Sequence, residues 1–342
     1  MPRNVVPRSL VPGAAAQLDV APGLHAAVLD WYAAGGRTLA FRATADPYAI
    51  LVSEFMAQQT QAQRAAEYWS RFIVEFPTVR ALAAATPAAV LRAWRGLGYN
   101  RRALALRRAA IVTVEEHGGR VPADLAALLR LPGVGPYTAR AVAALAFGRR
   151  VGPVDVNVRR VLSRALGGSL DAYAAAELQA IADAVVPAED PGTWTHALMD
   201  IGATFCLPRV PACTACPAAA VCRFANQESA AVKPNASERV AIERVAAEPV
   251  SADGPAHGAR QQARSMATSR ERHAPFESTN RWLRGRILDL LRDATGEDWV
   301  TIPATIGVHG RDAIERAVSA MEREGLLERV PGRTDMARLP IG

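Results

Sequence analysis

All four cysteines of this 342-residue chain fall within one short segment, spaced Cys206-x6-Cys213-x2-Cys216-x5-Cys222. Dispersed cysteines would suggest disulfide staples, whereas four thiols in one loop suggest a metal site. Their thiolates can enclose either a 4Fe–4S cluster or a tetrahedral zinc, and spacing alone leaves both open. The segment ahead of the loop, Trp194 to Phe205, reads as a helix. The first residues are broken by Arg3, Pro7, Arg8, Pro12 and Asp19 and lack the apolar run of a signal peptide. With no apolar stretch of ~18 residues either, the expectation is a cytoplasmic protein with no membrane partner.

From about residue 25 to 224 the periodicity is helical. Ala65, Tyr68, Trp69, Phe72, Ile73 and Phe76 recur at three- and four-residue spacing, as on one buried face. Thr86-Pro87 reads as an N-cap followed by proline at the first helical position. Val158, Val161, Leu162 and Leu166 form a further stripe that ends at Gly167-Gly168. No alternating strand pattern interrupts this region, so its fold class is all-α.

Residues 1–24 read as a flexible tail. At 225–274 the composition shifts to Ala, Ser, Glu, Arg and Pro, as expected of a linker, with Ser237 to Ala247 as a candidate short helix. Order is expected again over 275–342. Trp282, Ile287, Leu290 and Leu291 suggest one helix, and Ile314, Val318, Met321 and Leu326 another. Val300 to Ile302 and Leu327 to Val330 read as short strands, which together make a small winged-helix-like module.

Two further segments carry chemistry. In Leu131-Pro-Gly-Val-Gly-Pro-Tyr-Thr138, Gly133 and Gly135 let backbone N–H groups approach a phosphate at a helix N-terminus. Such a hairpin grips a nucleic-acid backbone without reading sequence. Asp155 follows in Val154-Asp-Val-Asn-Val-Arg-Arg160, where a helix N-terminus favours an anion. Upstream, Glu54 stands among Ile50, Leu51, Val52, Phe55 and Met56, where burial would raise its pKa. A formal charge of +7 agrees with a polyanionic partner.

These motifs resemble the MutY-type adenine DNA glycosylases of the helix-hairpin-helix, or endonuclease III, superfamily. The resemblance rests on Glu54 ahead of Gln58-Gln59-Thr60, on Trp94-Arg-Gly-Leu-Gly-Tyr99, on the glycine hairpin with Asp155, and on the cysteine loop. It runs from about residue 28 to 224. It implies a two-lobed fold, with 25–44 and 150–224 forming an iron–sulfur lobe and 45–149 a six-helix barrel. It also implies a 4Fe–4S cluster on Cys206, Cys213, Cys216 and Cys222.

The chemistry implied by that resemblance is base excision. Breaking an N-glycosidic bond requires a proton donor for the leaving base and an anion for the cationic sugar. Glu54 would protonate adenine at N7, and Asp155 would stabilise the sugar, oriented by Asn157 and Tyr137. Adenine must first be flipped out of the duplex. Gln59 and Tyr99 would fill the gap, Thr60 and Leu97 would lie near the orphaned base, and Arg42 and His196 would line the base pocket. The implied partner is double-stranded DNA carrying adenine opposite 8-oxoguanine or guanine. The chain would act as a monomer, and a separate abasic-site endonuclease would follow it.

His196 replaces the Gln or Glu usual in MutY relatives, and no pattern for a Nudix-like 8-oxoguanine domain follows the cysteine loop. Selectivity would then rest on Gln59, Thr60 and Leu97, or on the terminal module, where Arg281, Arg284 and Arg286 are candidate phosphate contacts. Two other readings compete: a mismatch thymine or uracil glycosylase, and a non-catalytic iron–sulfur DNA-binding regulator. The second has no need of both carboxylates.

Bifunctional relatives carry a Schiff-base lysine where this chain has Tyr137, and Lys233 is the sole lysine here. Product strands are therefore expected to remain intact until alkali treatment. Prompt strand scission with a borohydride-trappable adduct would contradict a monofunctional enzyme.

Overall fold

The computed structural model describes residues 21–231, 275–294, 298–333 and 335–342. The expected tail up to residue 20 and most of the expected linker, including Ser237 to Ala247 and Lys233, lie outside the described residues. The chain divides into two compact units, one of residues 1–229 with 339–342 and the other of residues 230–338.

The first unit is helical throughout its described residues. In order it contains α1 (Ala21–Gly35), α2 (Pro47–Ala57), α3 (Ala62–Glu75), α4 (Val79–Ala84), α5 (Pro87–Ala93), α6 (Arg101–His117) and α7 (Leu125–Arg130). After these come α8 (Pro136–Phe147), α9 (Val156–Gly167), α10 (Ala175–Ala184), α11 (Pro191–Thr204) and α12 (Arg223–Ala231). Helix starts follow local side-chain chemistry. The Thr86 hydroxyl accepts from Ala89 N ahead of α5, and Asp46 accepts from Tyr48 N and Ala49 N ahead of α2. Proline occupies the first position of both helices, where no N–H is needed. Gly168 ends α9 in the left-handed conformation that glycine adopts without steric cost.

One core joins α1 to the helices beyond residue 150. Leu24 and Val28 pack with Val158, Val161, Leu162, Leu166, Leu178, Ile181, Trp194 and Ile201. This packing explains why α1 opens at Ala21, inside the expected 1–24 tail, since Leu24 is wholly buried. Likewise α12 reaches into the segment expected to be linker from 225. Arg223 Nη1 donates to Leu166 O at 2.7 Å, the Phe224 ring lies under Arg164, and Ala225 is buried. Helix α11 opens three residues before the expected Trp194, at a proline capped by Asp190.

The second unit contains α13 (Asn280–Asp293), β1 (Val300–Thr301), α14 (Arg311–Arg323), β2 (Glu328–Arg329) and β3 (Met336–Arg338). The strands form an antiparallel sheet in the order β1-β3-β2, with Ala337 of the central strand opposite both Val300 and Arg329. Strand β3 is too short to show alternation and went unforeseen. Leu326 lies beyond the end of α14, and Gly325, at φ +70°, turns it into the core. Two of the candidate phosphate contacts are engaged within the unit: Arg284 forks onto Glu324 and Arg286 pairs with Asp289. No helix among the described residues is long and apolar enough to cross a membrane.

Removing the Leu24 side chain leaves a cavity in the shared core. Leu24→Ala is expected to cost about 2–5 kcal/mol of unfolding free energy, measured by denaturant titration. A loss near zero would show that α1 is peripheral to that core.

Candidate active site

Helix α2 is buried from Tyr48 to Met56, so its one acidic residue is buried with it. Glu54 is 6% exposed, and its Oε2 has no hydrogen-bond partner. Burial pushes its pKa up to about 7; the Tyr137 hydroxyl and Arg42 act against this rise, and the charge of Asp155 adds to it. Tyr137 is the second residue of α8, directly after the glycine hairpin, and is coupled electrostatically to both Glu54 and Asp155. Its pKa is raised by burial first and by the two carboxylates next. The Tyr137 hydroxyl donates to Met199 Sδ at 3.8 Å, and its electrostatic influence reaches Glu54 as well as Asp155.

Asp155 is the N-cap of α9. Its Oδ1 accepts from Asn157 N at 2.9 Å and Val158 N at 2.7 Å, and its Oδ2 accepts from Asn157 Nδ2 at 2.9 Å. Asn157 is itself held by Arg160, whose Nη2 donates to Asn157 Oδ1 at 2.9 Å and to Gly202 O at 2.6 Å. Arg160 Nε donates to the carbonyl of Cys206, so the aspartate and the cysteine loop share one positioning side chain.

A pocket of about 510 Å³ opens beside Glu54, lined by Phe41, Arg42, Thr44, Ile50, Ser53, Leu145, Asp190, Gly192, Thr193 and His196. Three sequence-predicted residues, Glu54, Arg42 and His196, thus meet in one cavity, while Asp155, Asn157 and Tyr137 lie outside its lining. Arg42 forks onto Asp200 at 2.8 Å on both oxygens, leaving its buried Nε without a partner. Burial works against the Arg42 charge, but the bonds to Asp200 outweigh it and raise the pKa. Asp200 is fully buried and also accepts from Arg37 N and Nε at 2.9 and 2.7 Å. Burial opposes the Asp200 charge as well, yet the two arginines hold its pKa below the usual carboxylate range. Burial, and then Arg42, push His196 down to about 3, so its imidazole is neutral near pH 7.

Sequence reading missed Asp200 and Arg37. The available signal was an aspartate inside an otherwise apolar helix, one turn beyond His196, because unpaired acids are almost never fully buried.

The hairpin has the expected turn. Gly133 has φ +80°, and a Cβ there would come within 2.8 Å of Ala105 Cβ and 2.9 Å of the Phe55 ring. Gly135 is the N-cap of α8, with open space around it. Gln58 Nε2 donates to Thr138 Oγ1 at 3.2 Å, tying the Gln-Gln-Thr loop to this helix.

Gln59 and Tyr99 have φ of +54° and +45°, in the left-handed region that non-glycine residues rarely adopt. Gln59 is exposed and Tyr99 is 44% exposed. Thr60 is half-buried beside them. Leu97 departs from expectation, because it is 5% exposed and belongs to the core instead of an exposed loop. Gly96 and Gly98, at φ +93° and +69°, turn the chain so that Leu97 faces inward and Tyr99 outward. A third residue missed from sequence, Arg102, contacts both loops.

The four cysteines form no disulfide and line one apolar pocket of about 390 Å³ with Val161, Arg164, Phe205 and Phe224. Arg164 Nη1 lies 3.4 Å from Cys206 Sγ and donates to Leu207 O at 2.8 Å. Among the described residues, no three His, Cys, Asp or Glu side chains gather closely enough to hold a single metal ion.

Residues 52–199 match the family described as HhH-GPD superfamily base excision DNA repair protein. The chain is 38% identical over 311 residues to the adenine DNA glycosylase of Mycolicibacterium smegmatis, covering 88% of this chain and 91% of that protein. It is 46% identical over 194 residues to the adenine DNA glycosylase of Mycobacterium tuberculosis, covering 56% of this chain and 64% of that one. Among solved structures, a thermostable thymine-DNA glycosylase aligns at TM-score 0.58 and 31% identity, covering 62% of this chain and 99% of that one.

The Asp200 cluster gives a contrast between two substitutions. Asp200→Asn strands buried positive charge and is expected to cost roughly 3–5 kcal/mol. Arg37→Ala removes a partner that is 39% exposed and is expected to cost well under half of that. Thermal melts of both variants supply the check, and equal losses would show that Arg42 is not the dependent partner.

Proposed function

The chain belongs to the adenine DNA glycosylase family of base-excision repair enzymes, and on that premise we propose how its residues remove the base. The observation that carries the proposal is the paired environment of Glu54 and Asp155. One carboxyl is buried at a cavity wall with one oxygen unbonded, and the other accepts from three N–H donors. Glycosidic cleavage requires a proton donor and an anion, and two such different environments suit those two roles.

Adenine, extruded from the duplex, occupies the 510 Å³ pocket. Glu54, protonated below its raised pKa, donates its proton to N7, so the base leaves as a neutral species. As the C1′–N9 bond breaks, the bonding electrons go to the base and positive charge develops on the sugar. Asp155, kept in place by Asn157, faces that charge, and water completes the hydrolysis. Tyr137, coupled to both carboxylates, supports the pair and provides no amine, so the abasic product strand stays intact for a downstream endonuclease.

Arg42 Nε and neutral His196 recognise the base edge. Arg42 is a fixed donor because Asp200, with Tyr32 Oη and Arg37 O, takes its other N–H groups, and His196 offers one donor and one acceptor. The glycine hairpin holds the DNA backbone through the amides at the start of α8. Gln59 and Tyr99 enter the stack, with Thr60 beside the orphaned 8-oxoguanine or guanine. Leu97, being buried, is left out of that contact. We propose that the chain acts as a monomer. The base pocket draws its lining from residues 25–44, 45–149 and 150–224, the segments read as two lobes.

The cysteine loop fits a 4Fe–4S cluster on Cys206, Cys213, Cys216 and Cys222. All four cysteine side chains line one apolar pocket, and the family resemblance favours the cluster over a tetrahedral zinc. When bound, the cluster would order the loop and place positive charge among the thiolates. The likeness to a thymine-DNA glycosylase keeps thymine and uracil as competing bases, and the assay must include them.

The test is single-turnover release of base from A:8-oxoguanine, A:G, T:G and U:G duplexes. Adenine release is expected, with a rate that falls tenfold per pH unit above about pH 7 as Glu54 loses its proton. Glu54→Gln is expected to lower the rate by at least about 10³-fold, combining a lost general acid and altered site charge, with DNA affinity kept. Preference for T:G over both adenine duplexes would overturn the base assignment.

A further inference from the structure

The two loops that carry Gln59 and Tyr99 come from different parts of the chain, and both tips have strained backbone. A residue in αL conformation without glycine costs energy and persists only where its surroundings over-determine it. One side chain supplies most of those surroundings. Arg102, on the first turn of α6, reaches into the gap between the loops.

On the first loop, Arg102 Nη1 donates to Phe55 O at 2.8 Å, to Met56 O at 3.0 Å and to Gln58 O. The first two are last-turn carbonyls of α2, which lack partners within the helix, and a cation is favoured at that end. Its Nη2 donates to Thr60 Oγ1 at 3.1 Å, bracketing Gln59 from the other side. On the second loop, Nη2 donates to Leu97 O at 3.2 Å and Gly98 O at 3.1 Å, immediately before Tyr99. The guanidinium lies 5.4 Å from the Trp94 ring and 5.6 Å from the Tyr99 ring.

We propose that Arg102 is a positioning residue for base extrusion, locking the Gln59 and Tyr99 loops into one rigid double wedge. This rests on the reading of Gln59 and Tyr99 as stack-filling residues. A planar fork with several donors is required, because both nitrogens bond simultaneously to groups in two loops. Lysine, with one compact ammonium, cannot span them. The role is confined to taking adenine out of the stack; the cleavage step uses Glu54 and Asp155, and the Arg102 guanidinium bonds instead to the two loops.

The test compares Arg102→Gln and Arg102→Lys with wild type under single turnover on two substrates. One holds adenine paired opposite 8-oxoguanine, and the other holds it unpaired in a one-nucleotide bulge, where stacking is already weakened. Both variants are expected to lose roughly 30-fold on the paired adenine and no more than about 3-fold on the bulged one, since flipping costs least for an unpaired base. In a parallel measure, 2-aminopurine placed beside the target should show reduced unstacking fluorescence in the variants. Parallel loss on both substrates, with melting temperature lowered, would make Arg102 general scaffolding and overturn the proposal. Full activity of Arg102→Lys on the paired substrate would overturn the requirement for a fork. Absence of adenine release by wild type from either duplex would bring down the glycosylase reading beneath it.

Discussion

The structure is organised around a carboxyl that has been taken out of water without full compensation. An acid in an apolar helix normally finds a cation or several N–H donors, and Asp200 and Asp155 each do so in their own way. Glu54 does not. One of its oxygens is unbonded at the wall of a cavity. Arg42 lowers its proton affinity, but the fork of Arg42 is bonded to Asp200 and the arginine makes no hydrogen bond to Glu54. Burial outweighs that opposing charge, and the carboxyl's pKa is raised to about 7.

Much of the candidate site was legible from sequence because its parts are local. Cysteine spacing, a Gly-x-Gly turn before a helix, and an aspartate at an N-cap are each determined by neighbours a few residues away. Thr86, Gly168 and Asp155 behaved as local rules require. What escaped notice was non-local. Asp200 pairs with residues far away in the chain, and Arg102 acts through carbonyl oxygens, which every residue has and no motif displays. The burial of Leu97 was not legible either, because two flanking glycines say that a loop turns without saying which side chain turns inward. Strand β3 has three residues, fewer than alternation needs to be visible.

The terminal unit illustrates the same limit from another direction. Arg281, Arg284 and Arg286 read along the sequence as candidate phosphate contacts. In the folded unit Arg284 and Arg286 each meet a carboxylate of the same unit, as do Arg329 and Arg338, which were not among the candidates. Exposed pairs of this kind contribute little stability. They do cancel local charge, and a surface so neutralised attracts a polyanion far less than its composition suggests.

The glycine at 133 has a wider meaning. Because no Cβ fits between it and the ring of Phe55, the hairpin turn and the helix bearing Glu54 are in direct contact, with no side chain between them to act as a spring. On the proposed roles, with the hairpin gripping the backbone and Glu54 giving the proton, that contact makes a caliper with one fixed opening. Wherever such a hairpin seats itself on a strand, only the nucleotide at one set offset would be presented for cleavage, whatever the letters around it. Surveying a genome then becomes a matter of stepping that gauge along the backbone.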